Sequence, residues 1–201
     1  MSDKENIWKS FAITTDGRFV KREEAWLSDR TEIRYKCWSI FFDYYNITSG
    51  KFSHRMTRVI APIIAVDDFR FELYRNGFVR KIEKIFGAQD VEIGRAEFDK
   101  AFVIKTNNEF RIKTLLQNQK IRSLIEAQKD VSIIISDQKG IWEGNLPKGE
   151  LELAFYADGE IKDFEVFKSL LLLFKQLLDK LEEMDAVKNS NRSDIHNADD
   201  L

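Results

Sequence analysis

Cysteine is almost missing from this chain: Cys37 stands alone, so no intrachain disulfide can form. It lies in an apolar, aromatic run, the setting of a small buried hydrophobe rather than of a nucleophile. Histidine is nearly as scarce, with only His54 and His196. A zinc-type site would therefore have to draw on His54 and Cys37 from neighbouring strands. A Ser-His-acid arrangement would find no serine in a nucleophile turn. Neither a P-loop nor a glycine-rich dinucleotide fingerprint occurs. We expect no metal site, no cofactor and no catalytic residue that can be named. Asp67-Asp68 and Glu23-Glu24 read as turn and loop carboxylates.

Two prolines and nine glycines in 201 residues leave little room for long loops. Apolar runs such as Leu170–Phe174 fall far short of the roughly 20 residues that span a bilayer. The opening MSDKENIWKSF has acids where a secretion signal needs a basic start and an apolar stretch, so a cytoplasmic location is expected. An excess of one charge is missing too: 32 Lys+Arg oppose 34 Asp+Glu, with a pI near 5.9. No nucleic-acid partner is expected on that balance. The local basic strip of Arg75, Arg80, Lys81 and Lys84 reads as the solvated face of an amphipathic helix.

What is present is apolar and aromatic: 43% hydrophobic residues with 16 Phe, enough to bury a sizeable core. The pattern predicts a short helix over 6–14, two long strands over 31–46 and 52–66, and a strand over 69–74. Apolar positions 78, 79, 82, 85 and 86 predict a helix stopped by Gly87. An extended piece follows over 91–93. Phe98, Phe102 and Ile104 share one face if the chain there is a strand. Thr106-Asn107-Asn108-Glu109 has the capping-box spacing, with Phe110, Leu115 and Leu116 opening the helical stripe behind it. A kink at Gln117-Asn118 leads to a second helical stretch with Ile121, Leu124 and Ile125. Strands are expected over 131–136, 141–146 and 151–156. A long amphipathic helix then runs over 164–184, capped by Asp163. Residues 185–201 are polar and lose periodicity, the signature of a disordered tail.

The fold class is α+β: a largely antiparallel β-sheet with packed helices, ending in the long C-terminal helix. Residues 1–184 read as one globular unit. Each half carries strands, a connection and a helix, so two related halves, subdomains 1–93 and 94–184, stand as the alternative.

Phe98-Asp99 followed by Phe102, the pair Leu115-Leu116, Ile121, Leu124 and the turn before the last helix give residues 94–182 a likeness to known sequences. That stretch resembles a family of uncharacterised bacterial proteins, many with transmembrane segments ahead of a soluble region. The resemblance implies no activity and transfers no site residue. Peripheral membrane association, which it raises, has no residue of this chain in its support.

One surface stands out. If the hairpin turns at Thr48–Lys51, Tyr45 lies opposite His54, Asp43 opposite Met56 and Phe41 opposite Arg58, while the other face is mostly apolar. Phe41, Asp43, Tyr45, His54, Met56 and Arg58 then form a mixed patch offering stacking, cation–π contact and directional hydrogen bonds to a protein or small-molecule partner. The expected function is a non-catalytic binding or assembly module; the alternative is an enzyme with a carboxylate-based site.

Overall fold

The computed structural model describes residues 6–24, 27–49, 52–76, 89–140 and 144–188. The helix expected over 78–86, the cations Arg80, Lys81 and Lys84, and the first half of the strand expected over 141–146 lie outside those residues. So does everything after Lys188.

The element order is α1 (Ile7–Thr15), β1 (Arg18–Val20), β2 (Arg30–Tyr35), β3 (Trp38–Ser49), β4 (Phe52–Ala65), β5 (Phe71–Arg75), β6 (Gln89–Asp90), α2 (Ala96–Ala101), β7 (Phe102–Thr106), α3 (Glu109–Gln117), α4 (Gln119–Glu126), β8 (Ser132–Ser136), β9 (Glu150–Asp158), α5 (Phe164–Glu183) and β10 (Val187–Lys188). The strands form one sheet in the order β1-β2-β3-β4-β9-β8-β5-β7-β6, with β10 beside β4. Every ladder between these strands is antiparallel. The α+β class holds. In that one sheet β9 and β8 of the second sequence half lie between β4 and β5 of the first.

The buried apolar side chains of α1 and α5 go to one face of this sheet, while Ile13 and Leu172 point to solvent. Asn6 caps α1 by accepting from the Trp8 and Lys9 amides, which turns Trp8 and Phe11 inward. Phe11 meets Phe42 and Phe167 at ring-centroid distances of 5.1 Å each, and Trp8 stacks on Phe167 at 5.3 Å. The first and last helices thus close over one aromatic nest. Asp163 caps α5, as its sequence predicts, and eight of its side chains from Phe167 to Leu181 are buried.

Several expectations are corrected. The single strand expected over 31–46 is two strands, β2 and β3, joined by a tight turn at Lys36-Cys37 with Lys36 at φ 52. A lysine tolerates that left-handed backbone because α5 holds it: Lys36 Nζ lies 2.6 Å from Asp179, which also accepts from the Tyr35 hydroxyl at 2.8 Å. Phe98 is on helix α2, not on a strand with Phe102. The Asp99 carboxylate accepts from the Ile93 and Arg95 amides and winds that segment up, and the two buried rings still meet at 4.5 Å. The cap of α3 is Asn108, which accepts from the Arg111 amide. Thr106 instead donates to the Arg70 carbonyl and accepts from the Asn108 amide, and Glu109 turns to Lys113. Ile112, Leu115 and Leu116 are the buried stripe. Phe110, two residues and so about 200° round the helix from Ile112, is 79% exposed.

Regular structure also continues past residue 185, the first residue of the expected tail, as strand β10. Asp185, at φ 49, turns the chain back from α5. Val187 then pairs with Ala65 of β4, beyond the point where the β3 ladder ends at Phe41↔Ile60. Ala186 and Val187 are buried there, and the Ala186 carbonyl accepts from Val66 N–H at 3.0 Å. A chain ending at Asp185 should therefore be less stable in urea unfolding than one ending at Lys188. The expected difference is about 2–4 kcal/mol, one buried valine plus the ladder bonds. Equal midpoints would show that this short strand contributes nothing.

Candidate functional site

Strands expose alternate residues to opposite faces, and the face away from α1 and α5 carries the patch. The β3–β4 register differs from the expected one by two residues: Asp43 lies opposite Arg58, Tyr45 opposite Met56 and Ile47 opposite His54. Pairing extends to Ser49↔Phe52. A slip of two keeps every side chain on its face, so the six residues do share one side of the sheet.

They do not share one accessible surface. Asp43 has no exposed area, and Phe41, Met56 and Arg58 are buried as well. Only Tyr45 and His54 keep appreciable exposure. The Asp43 carboxylate receives both arms of Arg58, Nε at 2.8 Å and Nη2 at 2.7 Å, the bidentate fork that makes charge-assisted hydrogen bonds strong. Arg22, from the segment before β2, adds a second guanidinium at 3.4 Å. Burial alone would lower the pKa of Arg58. The charge and hydrogen bonds of Asp43, with Tyr156 and Glu152 behind them, more than reverse this and hold it well above its usual value.

The register shows how the pair sits in the sheet. One row runs across five strands as Arg30, Asp43, Arg58, Tyr156 and Ser132. Neighbouring charges alternate in sign along it, the favourable arrangement for directly opposed strand residues. Arg58 also lies 4.5 Å from the Tyr45 ring centroid, and Tyr45 meets Tyr156 edge-on at 6.0 Å. Arg30 covers the Phe41 ring at 4.6 Å. Phe41, Ile47, Met56, Ile60, Ile134, Ala154 and Tyr156 surround these groups as a second apolar cluster. In the row beside it, Glu32 is held by Arg18 and by the Ser39 hydroxyl.

His54 stands apart from the pair, four residues along β4 from Arg58 and so roughly 13 Å away. Its imidazole Nε2 contacts the Asp158 carboxylate at the end of β9. Nearby, Arg55 binds the Asn46 side chain at 2.8 Å and Glu160 at 2.7 Å. Cys37 is at the opposite end of β3, roughly 30 Å from His54, so the two do not form a ligand pair. Among the described residues no group of three or more His, Cys, Asp or Glu could hold a metal ion. No described helix is long and apolar enough to cross a membrane.

Arg22, Arg30 and Tyr156 are members of the constellation that sequence reasoning missed. Tyr156 sits at an inward-alternating position of a predicted strand, but its place opposite Arg58 depends on β9 pairing with β4, a contact between residues about a hundred positions apart. No family model, curated protein or solved structure matches this chain.

Two outcomes are expected. Arg58→Met, which strands a buried carboxylate, should cost about 3–5 kcal/mol in chemical unfolding, and Asp43→Leu combined with it should restore most of that loss. An unchanged midpoint in the single variant would show that the pair is not needed. On the other face Tyr44 donates to the Ile161 carbonyl at 2.8 Å. Burial, then the charge of Glu160, pushes its phenol from 10.0 up to about 12. Because the folded state holds that proton more tightly, the Tyr44 contribution is complete below pH 10 and is lost as pH rises through 12. Tyr44→Phe should therefore show a shallower fall in stability across that alkaline range, followed by circular dichroism.

Proposed function

We propose that the chain is a non-catalytic binding module, a rigid sheet that offers the outer end of the β3–β4 hairpin to a small-molecule or protein partner. The observation that carries this reading is the division of the mixed face into two parts. Asp43 and Arg58 are consumed in a buried, bidentate pair that stiffens the hairpin. Tyr45 and His54 remain at its accessible edge, beside Arg55, Asp158 and Glu160. An accessible ring and imidazole on a hydrogen-bonded strand lose less entropy on binding than the same groups on a free loop, which is what a recognition edge needs. Carboxylate catalysis has less in its favour, since the Asp43 and Glu32 carboxylates are each occupied by a guanidinium.

A ligand-observed NMR screen of a fragment library tests this. Hits that weaken about tenfold in the Tyr45→Ala/His54→Ala double variant, the scale of losing one good stacking or hydrogen-bonding contact, and that emerge unaltered support the reading. Chemical conversion of any hit by the purified protein would overturn it, as would hits indifferent to both residues.

A further inference from the structure

The segment between β6 and α2 builds a second feature, unconnected with the hairpin. Ile93, Gly94 and Arg95 form one wall of a cavity of about 230 Å³, closed by Lys113, Leu116 and Gln117 of α3 and by Arg122 of α4. Among the described residues the lining thus contains three cationic side chains and no acidic one. Its size is below the roughly 300–1,000 Å³ of sites for drug-sized ligands, so an occupant must be compact.

Separate contacts fix the backbone of the wall and the side chains of Arg122 and Lys113. Asp99 accepts from the Ile93 and Arg95 amides at 2.9 and 2.8 Å, which fixes the path of the wall and occupies its carboxylate with backbone donors. The Arg95 side chain itself has no hydrogen bond or ion pair among the described residues. Arg122 donates through Nη1 to the Leu116 and Gln117 carbonyls at the end of α3. That anchors its guanidinium against the cavity and leaves Nε and Nη2 as further donors. Lys113 is partly neutralised by Glu109 at 2.6 Å. Among the described residues Arg95 and Arg122 have no carboxylate partner, and Leu116 and Ile93 add apolar surface to the lining. Gly94, at φ 77, takes the left-handed backbone that a side chain would strain, at the edge of the opening.

Planar guanidinium forks match the oxygens of a phosphoryl group, and a phosphate monoester carries close to two negative charges near pH 7. We propose that this cavity receives the phosphoryl group of a small phosphate monoester. Arg95 and Arg122 bind its oxygens, Lys113 supplies a third positive charge, and Ile93 with Leu116 lies against the first carbons of the ester. The site rests on the binding-module reading only in that the phosphate is held and released unchanged.

Isothermal titration of the whole chain with inorganic phosphate, with glycerol 3-phosphate and with phosphatidylcholine vesicles containing phosphatidic acid tests it. Saturable binding of glycerol 3-phosphate is expected, weakening with salt and dropping about tenfold or more in Arg95→Ala, the scale of losing a charge-assisted hydrogen-bond pair. Arg122→Gln should act likewise; because it also touches the end of α3, Arg95→Ala, on an exposed side chain, is the decisive variant. Arg34→Ala on β2, far from the cavity, should bind as the parent does. Saturation by the vesicles alone, abolished by Arg95→Ala, would assign the same phosphoryl chemistry to a lipid headgroup. No saturable binding of any probe, or equal affinity in Arg95→Ala, would overturn the site, whatever the hairpin edge binds. Release of free phosphate from the monoester would uphold the cavity and overturn the non-catalytic reading.

Discussion

A carboxylate with no exposed surface dictates much of what surrounds it. Asp43 sits in the middle of β3, where water cannot reach it, so its charge has to be met within the protein at every moment that the fold exists. Arg58 meets it through two hydrogen bonds of 2.7–2.8 Å, and that geometry is available only when β3 and β4 pair in one register. A one-residue slip would carry the two to opposite faces, and a two-residue slip would set Asp43 against a methionine or an isoleucine. The pair is therefore a device for register as much as a source of stability. A well-packed apolar pair could match it in free energy while specifying less.

From the register follows the placement of the other partners. With Arg58 fixed, β9 brings Tyr156 opposite it, and Tyr156 meets the Tyr45 ring that Arg58 already covers. On the other face the same register lines up Phe42 with Val59 and sets Phe42 beneath Phe11 and Phe167. The N-terminal and C-terminal helices are joined through those rings, not through contact between distant ends of the chain alone. A single central hairpin thus has an ionic seam on one side and an aromatic nest on the other.

How far this was legible in the sequence depends on the range of the interaction concerned. α5 was plain, because twenty residues with one apolar stripe and an aspartate ahead of them admit one local solution. The hairpin faces were legible for a similar reason: strand alternation survives an error of two in register. Local signals failed where a distant group decided. Lys36-Cys37 looks like continuous strand until Asp179 and Glu182 of α5 draw the lysine into a turn. Thr106 has the spacing of a cap, yet the Arg70 carbonyl takes its hydroxyl and Asn108 caps instead. Val187 lies in a polar stretch whose periodicity is lost, and only the vacant flank of β4 gives it a place. The accessible part of the mixed patch was smaller than its composition suggested, because burial is a property of the whole sheet and not of one strand.

The interleaving of the two halves bears on what kind of surface this protein can present. β8 and β9 enter between β4 and β5, so neither half can complete its sheet alone, and sequence-distant ladders must form together. Such contacts carry a large loop-closure cost before they contribute stability, which favours one cooperative unit over two hinged ones. A sheet of that kind spaces its side chains by its ladders. It can hold groups at fixed positions on its rim, with the hairpin edge at Tyr45 and His54 on one side and the cationic wall at Arg95 far along the chain. The spacing between those two places is set by the ladders that run from β3 across β4, β9, β8 and β5 to β7.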